Sequence, residues 1–387
     1  MTDQKTTELL FALLRSAVGG GALADGERAL YEEARLPELL ATAKQHDVTH
    51  LLAFGLQKNG LVPQNHAGAE RQILQAVIRG ERLAFEYERL SSALEAAEVR
   101  FVPLKGTVLR QDYPEPWMRT SCDIDVLVPR EELERAVSYL CEHLGYEEKE
   151  RATHDVSLYS PQGNHVELHF DLVEEGRARH AIDVLNGVWA HVSLCEGSAY
   201  CYEMSDAFFY FNHIAHMAKH FETGGCGIRP FIDLWILDRL DRANRSERDA
   251  LLSAGGLLQF ANAARRLSAV WFEGAEGDGL SLQMQEFILN GGVYGSAANR
   301  VSLQQKKKGG RFGYLLSRIF VPYHRLKRYY PILEKHAWLT PIMQIRRWFM
   351  LLRPSVAKMA KREMQTNYSI DSAKAEEMNF FLNSIGL

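Results

Sequence analysis

Asp123-Ile124-Asp125 stands in the run CDIDVLVP, which is aliphatic at 124, 126, 127 and 128 and is stopped by Pro129. That composition reads as a strand, and a strand turns successive side chains to opposite faces, so both carboxylates look the same way. Two neighbouring carboxylates repel each other unless a cation lies between them, which is how hard divalent ions are held. Ile124 and Val126 point the other way, toward a core. The same pattern on an exposed strand describes two solvated acids, so the surrounding residues decide what it means.

Three of them bear on it. Leu104-Lys105-Gly106-Thr107 ends an earlier β run and leads into a short helix. Glycine at such a turn lets backbone N–H groups come close to a phosphate, and a helix N-terminus favours an anion. Thr107 adds a hydroxyl and Lys105 a charge. Glu167, between Val166 and Leu168, is a third acid on a strand and completes a two-metal clamp if it meets the pair. Arg119, just ahead of Asp123, offers a cation to a phosphate or to the acids themselves.

The elements that must position these residues follow from periodicity. Residues 1–97 read as helical, with apolar residues at three- and four-residue spacing through TELLFALLRSAV, LYEEARLPELLATAKQHDVTHLLAFGLQ and AERQILQAVIRGERLAFEYERLSSALEAA. Residues 98–202 alternate strand and helix. VRFVPLKG is a β run, EELERAVSYLCEHL is an amphipathic helix closed by Gly145, and SLYSPQGNHVELHFDLV is a hairpin turning at Pro161-Gln162-Gly163-Asn164. Residues 203–300 return to helix as a domain of their own, and 301–387 form a basic helical region. No fixed repeat runs through the chain.

A content of 46% hydrophobic and 24% charged residues suits a globular protein with a sizeable core, and 387 residues allow two or three domains. The net charge of −4 excludes a globally basic nucleic-acid binder, so any such surface is local. Five cysteines without a CxxC pair point away from a disulfide framework or zinc ribbon and toward a reducing cytoplasm. Asp3 and Glu8 interrupt any signal-like N-terminus, and no run is long enough for a transmembrane segment.

A glycine turn, a spacer, an h-D-h-[DE]-h strand and a later strand acid resemble the DNA-polymerase-β-like nucleotidyltransferase superfamily. Here these are Gly106-Thr107, residues 108–122, Asp123-Ile124-Asp125 and Glu167. Thr stands where Ser is usual, which keeps the hydroxyl, and the spacer is slightly long. The fuller string LKGTVLRQDYPEPWMRTSCDIDVLV…HVELHFDL, with HIAHMAKHF…GCGIRPFIDLW downstream, resembles the uncharacterised bacterial nucleotidyltransferase family over roughly residues 99–240. The resemblance implies an α+β fold: a small mixed sheet with helices, flanked by N-terminal and C-terminal helical regions.

It also implies an enzyme that moves NMP from a nucleoside triphosphate to a hydroxyl-bearing acceptor, with Mg²⁺ or Mn²⁺ on Asp123, Asp125 and Glu167. Lys105, Gly106, Thr107 and Arg119 then hold phosphates, with Lys219, His220 and Arg229 contributing from the helical side. The acceptor is a small molecule, a glycan precursor, RNA or a protein. The alternatives are an inactive nucleotide- or partner-binding module on the same fold, and a tRNA-directed toxin-like transferase.

Other residues admit blander readings. His213, His216 and His220, with Cys226 beyond, have a spacing that zinc can use, yet the aromatic residues around them favour a packed helix lining the cleft. Arg229 and Asp233 are four apart, as in an intrahelical ion pair. His169 shares a strand face with Glu167 and can support a metal ligand from behind, and His154 stands alone. Between 306 and 362 the chain is basic and aromatic, with Glu334 as its only acid. That region suits RNA, an anionic membrane surface through IMQIRRWFMLLRP, or an ordinary solvated face.

Overall fold

The computed structural model of the protein describes residues 3–62, 67–173, 179–293, 295–350, 353–369 and 372–387. Helix α1 (Gln4–Gly19) starts where Asp3 accepts the Thr6 amide at 3.0 Å, and it stops at Gly20, whose φ of 88° is left-handed. Helices α2 (Leu36–Gln45) and α3 (Thr49–Lys58) follow, then the 30-residue α4 (Ala67–Ala96). Strand β1 (Val102–Pro103) and the short α5 (Lys105–Leu109) lead to β2 (Asp123–Leu127). Helix α6 (Leu133–Leu144) ends at Gly145 with φ 68°, and β3 (Glu147–Arg151), β4 (Asp155–Tyr159) and β5 (His165–His169) complete the sheet.

The chain is α+β, with a five-stranded mixed sheet ordered β1-β2-β5-β4-β3 between helical regions. Strands β2 and β5 run parallel, and the other neighbours are antiparallel. The β4–β5 hairpin turns where expected, with Gly163 at φ 79°. The β run expected over 99–106 contracts to two residues. Pro103 has no N–H to give a ladder, and Phe101 exchanges hydrogen bonds with Tyr200 and Tyr202 instead.

One sheet face is apolar. Ile124, Val126, Val156, Leu158, Val166 and Leu168 pack against Leu83, Leu90 and Leu94 of α4 and Leu133, Val137 and Leu140 of α6. Because side chains alternate, burying that set turns Asp123, Asp125, His165, Glu167 and His169 to the opposite face. Facing them are α7 (Asp206–Thr223) and α8 (Arg229–Leu240), which share a second core with α1, α3 and α9 (Leu258–Phe272) through Leu9, Leu13, Phe208, Phe211, Ile232 and Leu267. The N-terminal helices are thus packed on the helices that follow the sheet.

A second, two-stranded sheet of β6 (Val192–Leu194) and β7 (Tyr202–Met204) was not evident from periodicity. It brings Cys195 and Cys201, scattered in the sequence, to a sulfur–sulfur distance of 3.5 Å as free thiols. Near the C-terminus, α10 (Thr340–Met350) carries most of the run expected to lie at a membrane surface. Leu351 and Leu352 of that run lie outside the described residues, as do the side chains of Lys306, Lys307, Arg328 and Arg362. Among the described residues no helix is long and apolar enough to cross a membrane.

Candidate active site

The parallel register sets Asp125 directly opposite Glu167 and Asp123 opposite His165. Strand alternation then gathers three acids and two imidazoles on one patch. Ligand atoms of Asp123, His165 and Glu167 lie within 4.8 Å of one another, and so do those of Asp125, Glu167 and His169. His169 Nε2 is 2.8 Å from Asp125 Oδ1 and 3.4 Å from Glu167 Oε2. His165 is 2.6 Å from the Ser157 hydroxyl. Each group of three offers two carboxylate oxygens and one nitrogen, a donor set that fits a divalent cation.

The turn before β2 is tied to these acids. Leu104 N–H donates to the Asp125 carbonyl at 3.0 Å, so the segment that follows is hung from the acid strand. Lys105 then takes φ 43°, a left-handed conformation costly for a residue with a side chain. Its ammonium reaches 3.3 Å from Asp125 Oδ1. At Gly106 a Cβ would stand 3.2 Å from Arg119 Nη1 and 3.4 Å from Ser121 Cβ, which is the close approach a glycine permits.

Lys105, Gly106, Arg119, Asp123, Asp125, Glu167, Lys219, His220 and Arg229 line one cavity of about 360 Å³ between the polar sheet face and α7 and α8. Thr107 is not on that wall, and its hydroxyl is buried without a hydrogen-bond partner. Arg119 is buried and committed to the fold, donating from Nε to Asp233 at 2.7 Å and from Nη1 to the Thr120 carbonyl at 2.8 Å. Arg229 donates to the Thr120 carbonyl at 2.9 Å and to Asp47 at 3.2 Å. Asp233 therefore pairs with Arg119 and Tyr113 across the cleft, not along its helix with Arg229.

The charges act in opposite directions on the two aspartates. Burial, then repulsion from Asp125 and Glu167, pushes the Asp123 carboxyl up. Burial also disfavours the Asp125 anion, but the Lys105 ammonium and the His169 hydrogen bond outweigh it and hold Asp125 well below the usual carboxylate range. Lys219 is pushed down to about 8 by burial and by Lys105. These acids ionise at the cost of mutual repulsion and are steadied by cations, the state expected of a site that takes up positive charge.

A family model described as uncharacterised nucleotidyltransferase matches residues 32–273. The chain belongs to that family. Among curated proteins and among solved structures nothing matches it. The nucleotidyltransferase match begins earlier than the resemblance over 99–240, taking in α2, α3 and α4, and it ends before the basic C-terminal region. It covers all of the acids and cations described above.

Within the cavity the histidines of α7 do not gather with Cys226 as a zinc set. His213 lies 2.9 Å from the Pro230 carbonyl, and the His216 and His220 rings meet at 3.0 Å. Among the described residues the only groups of three metal-capable side chains are the two on the sheet. Sequence reasoning missed His165, Asp155 and His46, which all belong to the site or its wall. His165 was within reach, since it stands two residues before Glu167 and must share its face. Asp155 and His46 gave no such signal, because only the β4–β5 register and the docking of α2 bring them there.

Proposed function

We propose that this chain transfers a nucleoside monophosphate from a nucleoside triphosphate to a hydroxyl-bearing acceptor, with Asp123, Asp125 and Glu167 holding Mg²⁺ or Mn²⁺. A divalent pair bound there neutralises phosphate charge and eases ionisation of the acceptor hydroxyl. Lys105 and Lys219 face the same space and stabilise the negative charge of the triphosphate, with His220 and Arg229 beside them. Gly106 keeps the turn narrow enough for backbone N–H groups to approach the phosphates. Arg119 holds the floor of the cavity through Asp233 and adds positive potential beneath it. The acceptor oxygen bonds to the α-phosphorus, its proton leaves to water, and pyrophosphate departs.

The observation that carries this reading is the Asp125–Glu167 register with Asp123 beside it, inside a cavity lined with cations, in a chain of the nucleotidyltransferase family. The test is to incubate the protein with each α-labelled nucleoside triphosphate, Mg²⁺ or Mn²⁺, and a cell extract. Label moves to an acceptor with the native chain and falls by roughly a thousandfold or more with Asp123→Ala plus Asp125→Ala, the scale of a lost electrostatic site. No transfer by the native chain, or equal transfer by the double variant, sinks the enzyme reading in favour of an inactive nucleotide-binding module. Label on tRNA selects the toxin-like alternative. A reducing cytoplasm, where the cysteines persist as thiols, is the compartment this reading assigns.

For the C-terminal region we propose an anionic bilayer in preference to RNA. Ile342, Ile345 and Phe349 form an exposed stripe on α10, with exposed Trp338 just before it and exposed Lys335, Arg346 and Arg353 around it. Apolar side chains at i, i+3 and i+7 beside basic residues suit the boundary between headgroups and acyl chains, and Ile342 and Ile345 offer a base neither a ring to stack on nor a hydrogen bond.

A further inference from the structure

Three donor atoms at the sheet are spaced as one ion would need them. His169 Nε2 stands 2.8 Å from Asp125 Oδ1 and 3.4 Å from Glu167 Oε2. Adjacent ligands of an octahedral ion with bonds near 2.1 Å are separated by about 3 Å, so these two distances match edges of such an octahedron, and the ligand atoms of all three residues lie within 4.8 Å of one another. The remaining positions are open to the cavity that all three residues line. We infer that Asp125, Glu167 and His169 bind a single first-row divalent ion through two carboxylate oxygens and the His169 imidazole nitrogen, selecting Mn²⁺ over Mg²⁺. The inference rests on the metal-dependent reading above and adds to it a nitrogen ligand and the ion that follows from it.

A histidine can also serve a metal site from behind, orienting a carboxylate by donating to the oxygen turned away from the ion. His169 does share a hydrogen bond with Asp125, but the carboxylates it meets are the candidate ligands themselves, so an ion entering between them takes the place of the shared proton. The His169 Nε2 lies between two carboxylates from two different strands, inside the acid cluster. It is 4% exposed, so water does not compete for the nitrogen as it would at a surface. Lys105 Nζ, 3.3 Å from the same Asp125 oxygen, is the cation an entering ion must displace, and its flexible four-carbon stem lets it swing toward the phosphates. His165 is the less apt nitrogen of the two, because its Nε2 stands farther from Glu167, at 3.8 Å, and its side chain is more open to water. Mg²⁺ prefers oxygen and water, whereas imidazole suits first-row transition ions, so a nitrogen in this set shifts preference toward the latter.

The experiment is Mn²⁺ binding to the full chain, followed by electron paramagnetic resonance, with a pulsed measurement of ¹⁴N coupling to the bound ion and Mg²⁺ as competitor. Expected are stoichiometric Mn²⁺ binding with the coupling of a directly bound imidazole, its loss in His169→Gln, and its survival in His165→Gln. Mn²⁺ affinity in His169→Gln falls roughly tenfold or more, while Mg²⁺ affinity stays within about twofold. Mn²⁺ bound without ¹⁴N coupling, coupling that survives in His169→Gln, equal losses for both ions, or no Mn²⁺ binding each overturn the assignment. The native spectrum decides the nitrogen ligand even if a variant fails to fold. Nucleotide transfer with Mg²⁺ but no ¹⁴N coupling defeats this inference alone. Nitrogen-bound Mn²⁺ without transfer defeats the transferase reading and leaves the ion site standing.

Discussion

Asp123 and Asp125 are two positions apart and are treated oppositely by their surroundings. Asp125 has Lys105 and His169 against it, while Asp123 feels mainly burial and its acidic neighbours. Asp123 therefore carries a burial and repulsion cost that Lys105 and His165 only partly offset. Asp123→Asn removes that repulsion. In chelator-treated protein it raises the unfolding free energy, because the buried anion and its repulsion are gone. Nucleotide transfer is lost in the same variant. Thermal melts in chelator check the sign, and a lower melting temperature shows that Asp123 is stabilised by something other than an absent cation. The acids were legible because alternation is a local property: D-x-D fixes two carboxylates on one strand face whatever surrounds them. The unequal treatment of the pair was not legible, since Lys105 and His169 reach Asp125 only through the turn and the β2–β5 pairing.

Elements were read well where one period ran for many residues and poorly where pairing was set at a distance. The amphipathic helix ending at Gly145 and the hairpin around Gly163 were expected because their caps and turns are local. The contraction of β1 and the presence of β6 and β7 depend on partners remote in sequence, Phe101 bonding with Tyr200 and Tyr202. The α10 stripe belongs to this scale, since it depends on one helix face and the charges beside it. With vesicles of equal anionic and zwitterionic lipid the protein co-sediments, more weakly as salt rises, and Ile345→Glu with Phe349→Glu abolishes binding. Equal binding to purely zwitterionic vesicles, or binding of RNA with none to vesicles, sinks the lipid proposal, as does a stable dimer that buries the stripe.

Across the whole molecule, the N-terminal helices close the cavity that the sheet opens. His46, at the end of α2, is fully buried on the cavity wall, and burial pushes its pKa from 6.5 down to about 4. The native state thus keeps His46 neutral where the unfolded chain has already bound a proton. Between pH 6.5 and about 4 the unfolded state holds more protons, so stability falls as pH falls, by up to a few kcal/mol. Below about 4 the native histidine protonates too, and the loss from this group stops. Denaturant midpoints from pH 7 to pH 4 give the slope, and His46→Gln flattens it. A slope unchanged in that variant removes His46 as the cause.

By itself the sequence determined the α+β order of elements, the strand that carries Asp123 and Asp125, and the glycine turn before it. Those features depend on near neighbours, through alternation, capping and turn chemistry. Only the tertiary structure decided that Glu167 lies opposite Asp125, that His169 enters between them, and that Arg119 is spent on Asp233. Each of those rests on strand register or helix docking, where energies of packing over a whole core fix which distant side chains meet.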